Sequence, residues 1–208
     1  MATFLLIRHG ENDWVGNRLA GHTPGVHLNQ NGLAQAEHLA ATLSKLPINA
    51  IYSSPLERAI ETAQPLAARM QIPIQTDYGV SEVHFGAWEG KTFEELRSME
   101  SYKISQQTPS KMQFPDGESF AGAQQRLLNA IQKINQDHKK EDLIAIFSHG
   151  DSIRLLIAYF LGMALDDFRR IQIDLASISM VSFCYPFPVI SHVNLIPEIA
   201  WTTLSPTG

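Results

Sequence analysis

A single cysteine, Cys184, stands in this chain of 208 residues. One cysteine forms no intrachain disulfide, and thiolate-built zinc sites are excluded with it. A reducing compartment is the simplest expectation, hence a cytoplasmic protein. Long apolar runs are scarce as well. The N-terminal run stops at Arg8 and is too short for a secretory signal, and the apolar stretch 155–165 falls short of the roughly 20 residues a bilayer demands. Neither repeats nor low-complexity tracts are present. No block of basic charge appears: 16 lysines and arginines against 21 acidic residues leave a net charge of −5. Nothing in that balance asks for nucleic acid or an anionic membrane, and a small anionic ligand would need cations gathered locally. What is plentiful is ordinary core material. Hydrophobic residues make up 44% and charged residues 18%, which excludes disordered, collagen-like and coiled-coil chains. The length suits one domain, residues 1–208.

The elements alternate. Residues 3–7 and 143–147 are short continuous apolar runs of the kind buried in parallel sheets, and 49–53 is a third short strand. Residues 31–46 place Leu33, Ala36, Leu39, Ala40 and Leu43 on one helical face, up to Pro47. After 49–53 comes Ser54-Pro55-Leu56-Glu57, which reads as a capping box opening a helix to about residue 70, kinked at Pro65. Residues 119–137 and 152–161 are further helices. Residues 178–185 and 189–196 read as strands at the edge of the sheet, separated by Pro186 and Pro188. Between 78 and 118 the pattern is irregular, with a second capping box at Thr92 to Glu95. An insertion of this length is expected to form a pocket wall. The whole reads as an α/β chain: a three-layer α/β/α sandwich with a mostly parallel central sheet and helices on both faces.

Each central strand is followed by unusual residues. The first runs into Arg8-His9-Gly10-Glu11, the second into Ser54-Pro55-Leu56-Glu57-Arg58, and the third into Ser148-His149-Gly150-Asp151. Ligands on such sheets bind beyond the carboxyl ends of the strands. The topology therefore gathers two arginines and two histidines from positions far apart in sequence. Two of these turns lead into helix N-termini, which favour anions. Arginine holds phosphate with a planar fork. The constellation predicts a pocket for a phosphoryl group.

These segments, with Glu82-Val83-His84-Phe85-Gly86-Ala87-Trp88-Glu89-Gly90 and Pro115-Asp116-Gly117-Glu118-Ser119, resemble the histidine phosphatase superfamily, which includes the phosphoglycerate mutases. They occur in the family's order across most of the chain. The resemblance implies a phosphoglycerate mutase-like fold and metal-independent hydrolysis of a phosphomonoester, a small phosphorylated metabolite, with no cofactor. It implies that His9 is the nucleophile and forms a phosphohistidine. Arg8, Arg58 and His149 would hold the phosphoryl oxygens, and Glu82 would act as general acid and then base. Two positions depart from the family. Val15 stands where many relatives have an asparagine that reaches the phosphate, which makes Asn17 a candidate substitute. Asp151 stands where relatives often have glycine, and it repels substrate unless it points away or pairs with Arg154. Gly21 is a further candidate, through its backbone N–H. Glu118 and Lys91 are expected on the outer pocket.

Alternative functions are weighed against this one. A mutase would use the same histidine, with 2,3-bisphosphoglycerate as cofactor, but the family's mutases carry an arginine pair in the insertion, and residues 98–118 hold only Lys103 and Lys111. The Phe85 to Gly90 wording also looks like the phosphatase branch. A pseudoenzyme binding phosphorylated partners would not need the retained His9 and Glu82. A serine esterase built on Gly150-Asp151-Ser152 lacks the required order of partners. A metal bound by His9, His149 and Glu82 would be repelled by two adjacent arginines. Among the other histidines, His22 is the one whose loop should overhang the pocket. Oligomeric state stays open, with residues 178–185 as an edge compatible with a homodimer.

Overall fold

The computed structural model describes residues 2–183 and 186–196. Six strands form one sheet: β1 (Thr3–Arg8), β2 (Ile48–Ser53), β3 (Ile74–Thr76), β4 (Leu143–Ser148), β5 (Ile178–Ser182) and β6 (Val189–Leu195). Their order is β3-β2-β4-β1-β5-β6. The pairs β3/β2, β2/β4 and β4/β1 are parallel, and β1/β5 and β5/β6 are antiparallel. The helices are α1 (Gln30–Leu43), α2 (Glu57–Met70), α3 (Phe93–Arg97), α4 (Glu100–Gln107), α5 (Phe120–Asp137) and α6 (Gly150–Phe160).

Strand periodicity decides which residue meets which layer. Successive side chains point to opposite faces, so Leu5, Ile7, Ala145 and Phe147 pack on one side with Leu39, Leu43, Ala63 and Leu66 of α1 and α2. Phe4, Leu6, Ile144 and Ile146 pack on the other with Phe120, Leu127, Ile153 and Leu156 of α5 and α6. Strands buried on both faces must be apolar at every position, which is why β1 and β4 read as unbroken runs. Each such Leu, Ile or Phe contributes about 1.5–3 kcal/mol by leaving water.

Two details differ from the sequence expectations, the cap of α2 and the place of β5, whereas the extent of α2 agrees with them. Ser54 does not cap α2: Leu56 holds the cap position and no side chain closes it. The Ser54 hydroxyl is engaged with His149 instead. Pro65 lies inside α2, which continues through it to Met70 and ends on Gln71 in the left-handed region. Finally, β5 is an interior strand, because the hairpin after it lays β6 along its outer side. The edge is therefore β6, and the expected docking edge at 178–185 is covered over residues 178–182. Cys184 and Tyr185 lie outside the described residues. Among those residues, no helix is long and apolar enough to cross a membrane.

Candidate active site

Because β1, β4 and β2 are adjacent and parallel, their C-terminal ends lie side by side. Arg8 pairs with Ser148, and Ser53 with Phe147. The His9 N–H still donates to the Ser148 carbonyl at 3.0 Å, so His9 is fixed by the ladder before the chain turns away. The turn passes close to α1: a Cβ on Gly10 would lie 2.8 Å from the Gly32 carbonyl oxygen. Its N–H donates to Thr62 Oγ1 of α2 at 3.0 Å. His9 Nδ1 bonds the Gly10 carbonyl oxygen at 2.7 Å. A carbonyl only accepts, so Nδ1 carries the proton and Nε2 keeps its lone pair. Burial, then the charges of Arg58 and Arg8, holds the imidazole well below its ordinary pKa. His9 is a neutral nitrogen base among cations.

His149 begins α6 as its cap residue. It is fully buried, with its ring centroid 5.2 Å from that of His9. Its Nε2 is 2.8 Å from Ser54 Oγ, and that oxygen also accepts from the Leu56 N–H at 3.3 Å. With the Ser54 hydroxyl donating to Nε2, the ring carries its proton on Nδ1. Burial and the charge of Arg58 keep this imidazole neutral too. Arg58, in the first turn of α2, is 1% exposed. Its Nη2 donates to the Gly21 carbonyl at 2.9 Å. Arg8 Nη1 donates to the Ile173 carbonyl at 2.7 Å. Burial lowers both guanidinium pKa values, that of Arg58 to about 10, yet both remain cations at neutral pH.

Among the described residues, six buried side-chain nitrogen or oxygen atoms have no hydrogen-bond partner, and four of them are Arg8 Nε, Arg58 Nε, Arg58 Nη1 and His149 Nδ1. Folded proteins satisfy nearly all such groups. Four unsatisfied donors around one unprotonated imidazole nitrogen match a ligand with several acceptor oxygens.

Glu82 follows the 3₁₀ turn Tyr78–Val80. Its Oε1 accepts from the Val83 N–H, the Ser152 N–H and the Ser152 hydroxyl, so Oε2 is the oxygen left to carry a proton. Burial and then the charge of Asp151 raise its pKa. The α6 N-terminal donor at Ser152 thus serves Glu82. Asp151 is the reverse case: burial raises its pKa, but Arg169 and Arg154 outweigh that and hold it ionised. It pairs with Arg154 at 2.8 Å and lies 3.7 Å from Arg169, so this departure from the family is neutralised.

Arg8, His9, Arg58 and Glu82 open onto a cavity of about 270 Å³. One part of its wall is apolar, with Phe85, Trp88, Phe93, Tyr102 and Phe114 from the 78–118 segment, and another is charged, with Asp151, Arg154 and Arg169. Several of the other expected residues are not on that wall. Asn17 is exposed, because the Trp14–Asn17 turn with Gly16 at φ 76° carries it outward to bond Phe93 through its backbone. Glu118 is turned away to pair with Arg126, and Lys91 is also off the wall. Gly21 does border the cavity, but there its carbonyl holds Arg58. His22 bonds the Glu82 carbonyl at 2.7 Å and so anchors that segment.

Two wall residues escaped the sequence reading. Asn12 is buried, and its Oδ1 accepts from the Trp14 N–H at 3.0 Å, which leaves its amide donors over. Its place three residues after His9 was the available signal. The run Asp166-Asp167-Phe168-Arg169-Arg170 has the pattern of a salt-bridged short helix, yet there Arg170 pairs with Asp167 while Arg169 turns to the cavity wall.

A family model described as the histidine phosphatase superfamily, branch 1, matches residues 4–196. The chain is 36% identical over 161 residues to phosphoglycerate mutase-like protein 4 of Arabidopsis thaliana, covering 74% of this chain and 69% of that protein. It is 29% identical to phosphoserine phosphatase 1 of Hydrogenobacter thermophilus, over 94% of this chain and 93% of that one. The solved structure of Bacillus stearothermophilus YhfR superposes with a TM-score of 0.88 at 30% identity, over 94% of this chain and 98% of that one.

Proposed function

The chain belongs to the histidine phosphatase superfamily, branch 1, and from that premise we propose that it hydrolyses a small phosphomonoester through a phosphohistidine on His9, without a metal. The observation that carries this reading is the free Nε2 lone pair of His9 among four unsatisfied buried donors. His9 Nε2 attacks phosphorus, and the bond to the leaving oxygen breaks. Arg8, Arg58 and the Nδ1–H of His149 hold the phosphoryl oxygens as charge spreads over them, the role a metal plays elsewhere. Glu82, protonated, gives its proton to the leaving alkoxide. It then takes a proton from the water that cleaves the N–P bond, which returns both residues to their starting states. A cavity of about 270 Å³ is at the lower end of ligand-site sizes and suits a metabolite better than a polymer.

The test is phosphate release, with EDTA present, from aryl, sugar, nucleotide and glycerate phosphates. We expect turnover by the native chain and its loss, by more than about a thousandfold, in His9→Ala. Wild-type rates in that variant would overturn the mechanism. Conversion of 3-phosphoglycerate to its 2-isomer with little phosphate release, stimulated by 2,3-bisphosphoglycerate, would make the chain a mutase instead.

A further inference from the structure

We infer that Arg169, stacked on Phe120 and Phe168 beside the Asp151–Arg154 ion pair, is a second anion subsite that selects phosphomonoesters whose leaving alcohol bears a carboxylate. The inference rests on the phosphomonoester reading above.

Arg169 is held in an uncommon way. Its guanidinium carbon lies 5.3 Å from the ring centroids of both Phe120 and Phe168. Stacking fixes the plane of the group without consuming its N–H donors. Its Nε is buried with no partner, and the nearest Asp151 oxygen, at 3.7 Å from Nη2, is outside hydrogen-bond range. Arg154 differs: its Nε donates to the Ile171 carbonyl at 2.9 Å and its Nη1 to Asp151 at 2.8 Å. Arg154 and Asp151 form the frame, and Arg169 keeps capacity to spare.

The frame adjoins the phosphate donors. A methyl group on Gly150 would lie 3.3 Å from Arg8 Nε and 3.8 Å from Arg154 Nη1, so the two guanidinium heads are neighbours. Arg8, Arg154, Asp151 and Arg169 thus make one row along the cavity wall. Charge agrees. Five arginines and two carboxylates line the cavity; with Glu82 protonated, Asp151 is the one negative charge among them, a surplus of four positive charges. A phosphate dianion leaves two unbalanced, and a carboxylate offsets one of them. Residues 98–118 carry no arginine; the segment Leu165–Arg170 contributes Arg169 instead.

Two matched pairs differ mainly in the carboxylate: phosphoserine against phosphoethanolamine, and 3-phosphoglycerate against glycerol 3-phosphate. In the native chain, kcat/KM should favour the carboxylated member of each pair by about tenfold or more. In Arg169→Met, which keeps the apolar stem on the phenylalanines, the ratio within each pair should fall to near one. Turnover of p-nitrophenyl phosphate, which has no carboxylate, shows whether each protein is folded with a working phosphate site. The same ratios are read as binding affinities by calorimetry on His9→Ala with and without Arg169→Met. Loss of turnover with retained binding ratios would then refute hydrolysis and leave the subsite standing. Ratios near one in the native chain, or ratios unchanged by Arg169→Met, would overturn the subsite whatever the rate.

Discussion

His9 and Glu82 are pushed in opposite directions by the same burial. An imidazole is charged when protonated and a carboxyl when deprotonated, so desolvation lowers the first pKa and raises the second. The nucleophile stays neutral below its ordinary value of 6.5, and the acid stays protonated above its ordinary value of 4.5. We predict that kcat/KM falls as pH drops through the His9 pKa and falls again as pH rises through that of Glu82. Glu82→Gln should remove the second limb and slow alkyl phosphates by about 10²–10⁴-fold. It should slow aryl phosphates far less, since their leaving groups need no proton. pH–rate profiles on one substrate of each kind check this, and equal losses would count against Glu82 as the acid. At this scale the sequence was readable where a residue follows directly from a strand end, as with Arg8, His9 and His149. It was not readable for Arg169, whose direction is set by Phe120, almost fifty residues earlier, or for Asn17, which one left-handed glycine turns outward.

Helix α2 supplies more than Arg58. Thr62 Oγ1 donates to the Arg58 carbonyl at 2.6 Å and accepts from the Gly10 N–H at 3.0 Å, tying the nucleophile's turn to the arginine's helix. Thr62→Val keeps the shape and removes both bonds, which leaves the buried Gly10 N–H unpaired. We expect a loss of about 1–3 kcal/mol of stability, read by chemical denaturation, together with a higher KM. A variant as stable as the native chain would show that the link is not needed. The start of α2 was misread because Ser54 has two competing partners. A local rule sees the capping position, whereas the bond to His149 spans 95 residues. β3 was missed for a different reason: three residues, mostly exposed, carry no periodic signal.

The whole chain carries a net charge of −5, while its cavity carries the opposite sign. The nearer charges govern, because salt screens interactions beyond about 10 Å. We predict that kcat/KM for a phosphate dianion falls as potassium chloride rises from about 20 to 200 mM. A rise would mean that repulsion by the acidic surface dominates. The layered architecture was legible because βαβ units admit few arrangements, whereas the insertion of β4 between β1 and β2 was not. Nor was the reversal at β5 and β6, since antiparallel pairing by a hairpin leaves the strand pattern itself unchanged.

The strand order has a further consequence for how the chain acquires its shape. β1 and β2 come early in the sequence but do not touch; β4, which begins at Leu143, is the strand that joins them. During synthesis, two apolar strands wait through roughly ninety further residues with their inner edges unpaired. Such edges template aggregation, so this long wait is the vulnerable interval in the life of the molecule. Contacts of that separation also make closure of the sheet centre slow. When β4 inserts, it completes the hydrogen-bonded centre and delivers His149 beside His9 in one event. Assembly of the phosphate pocket therefore waits on insertion of β4.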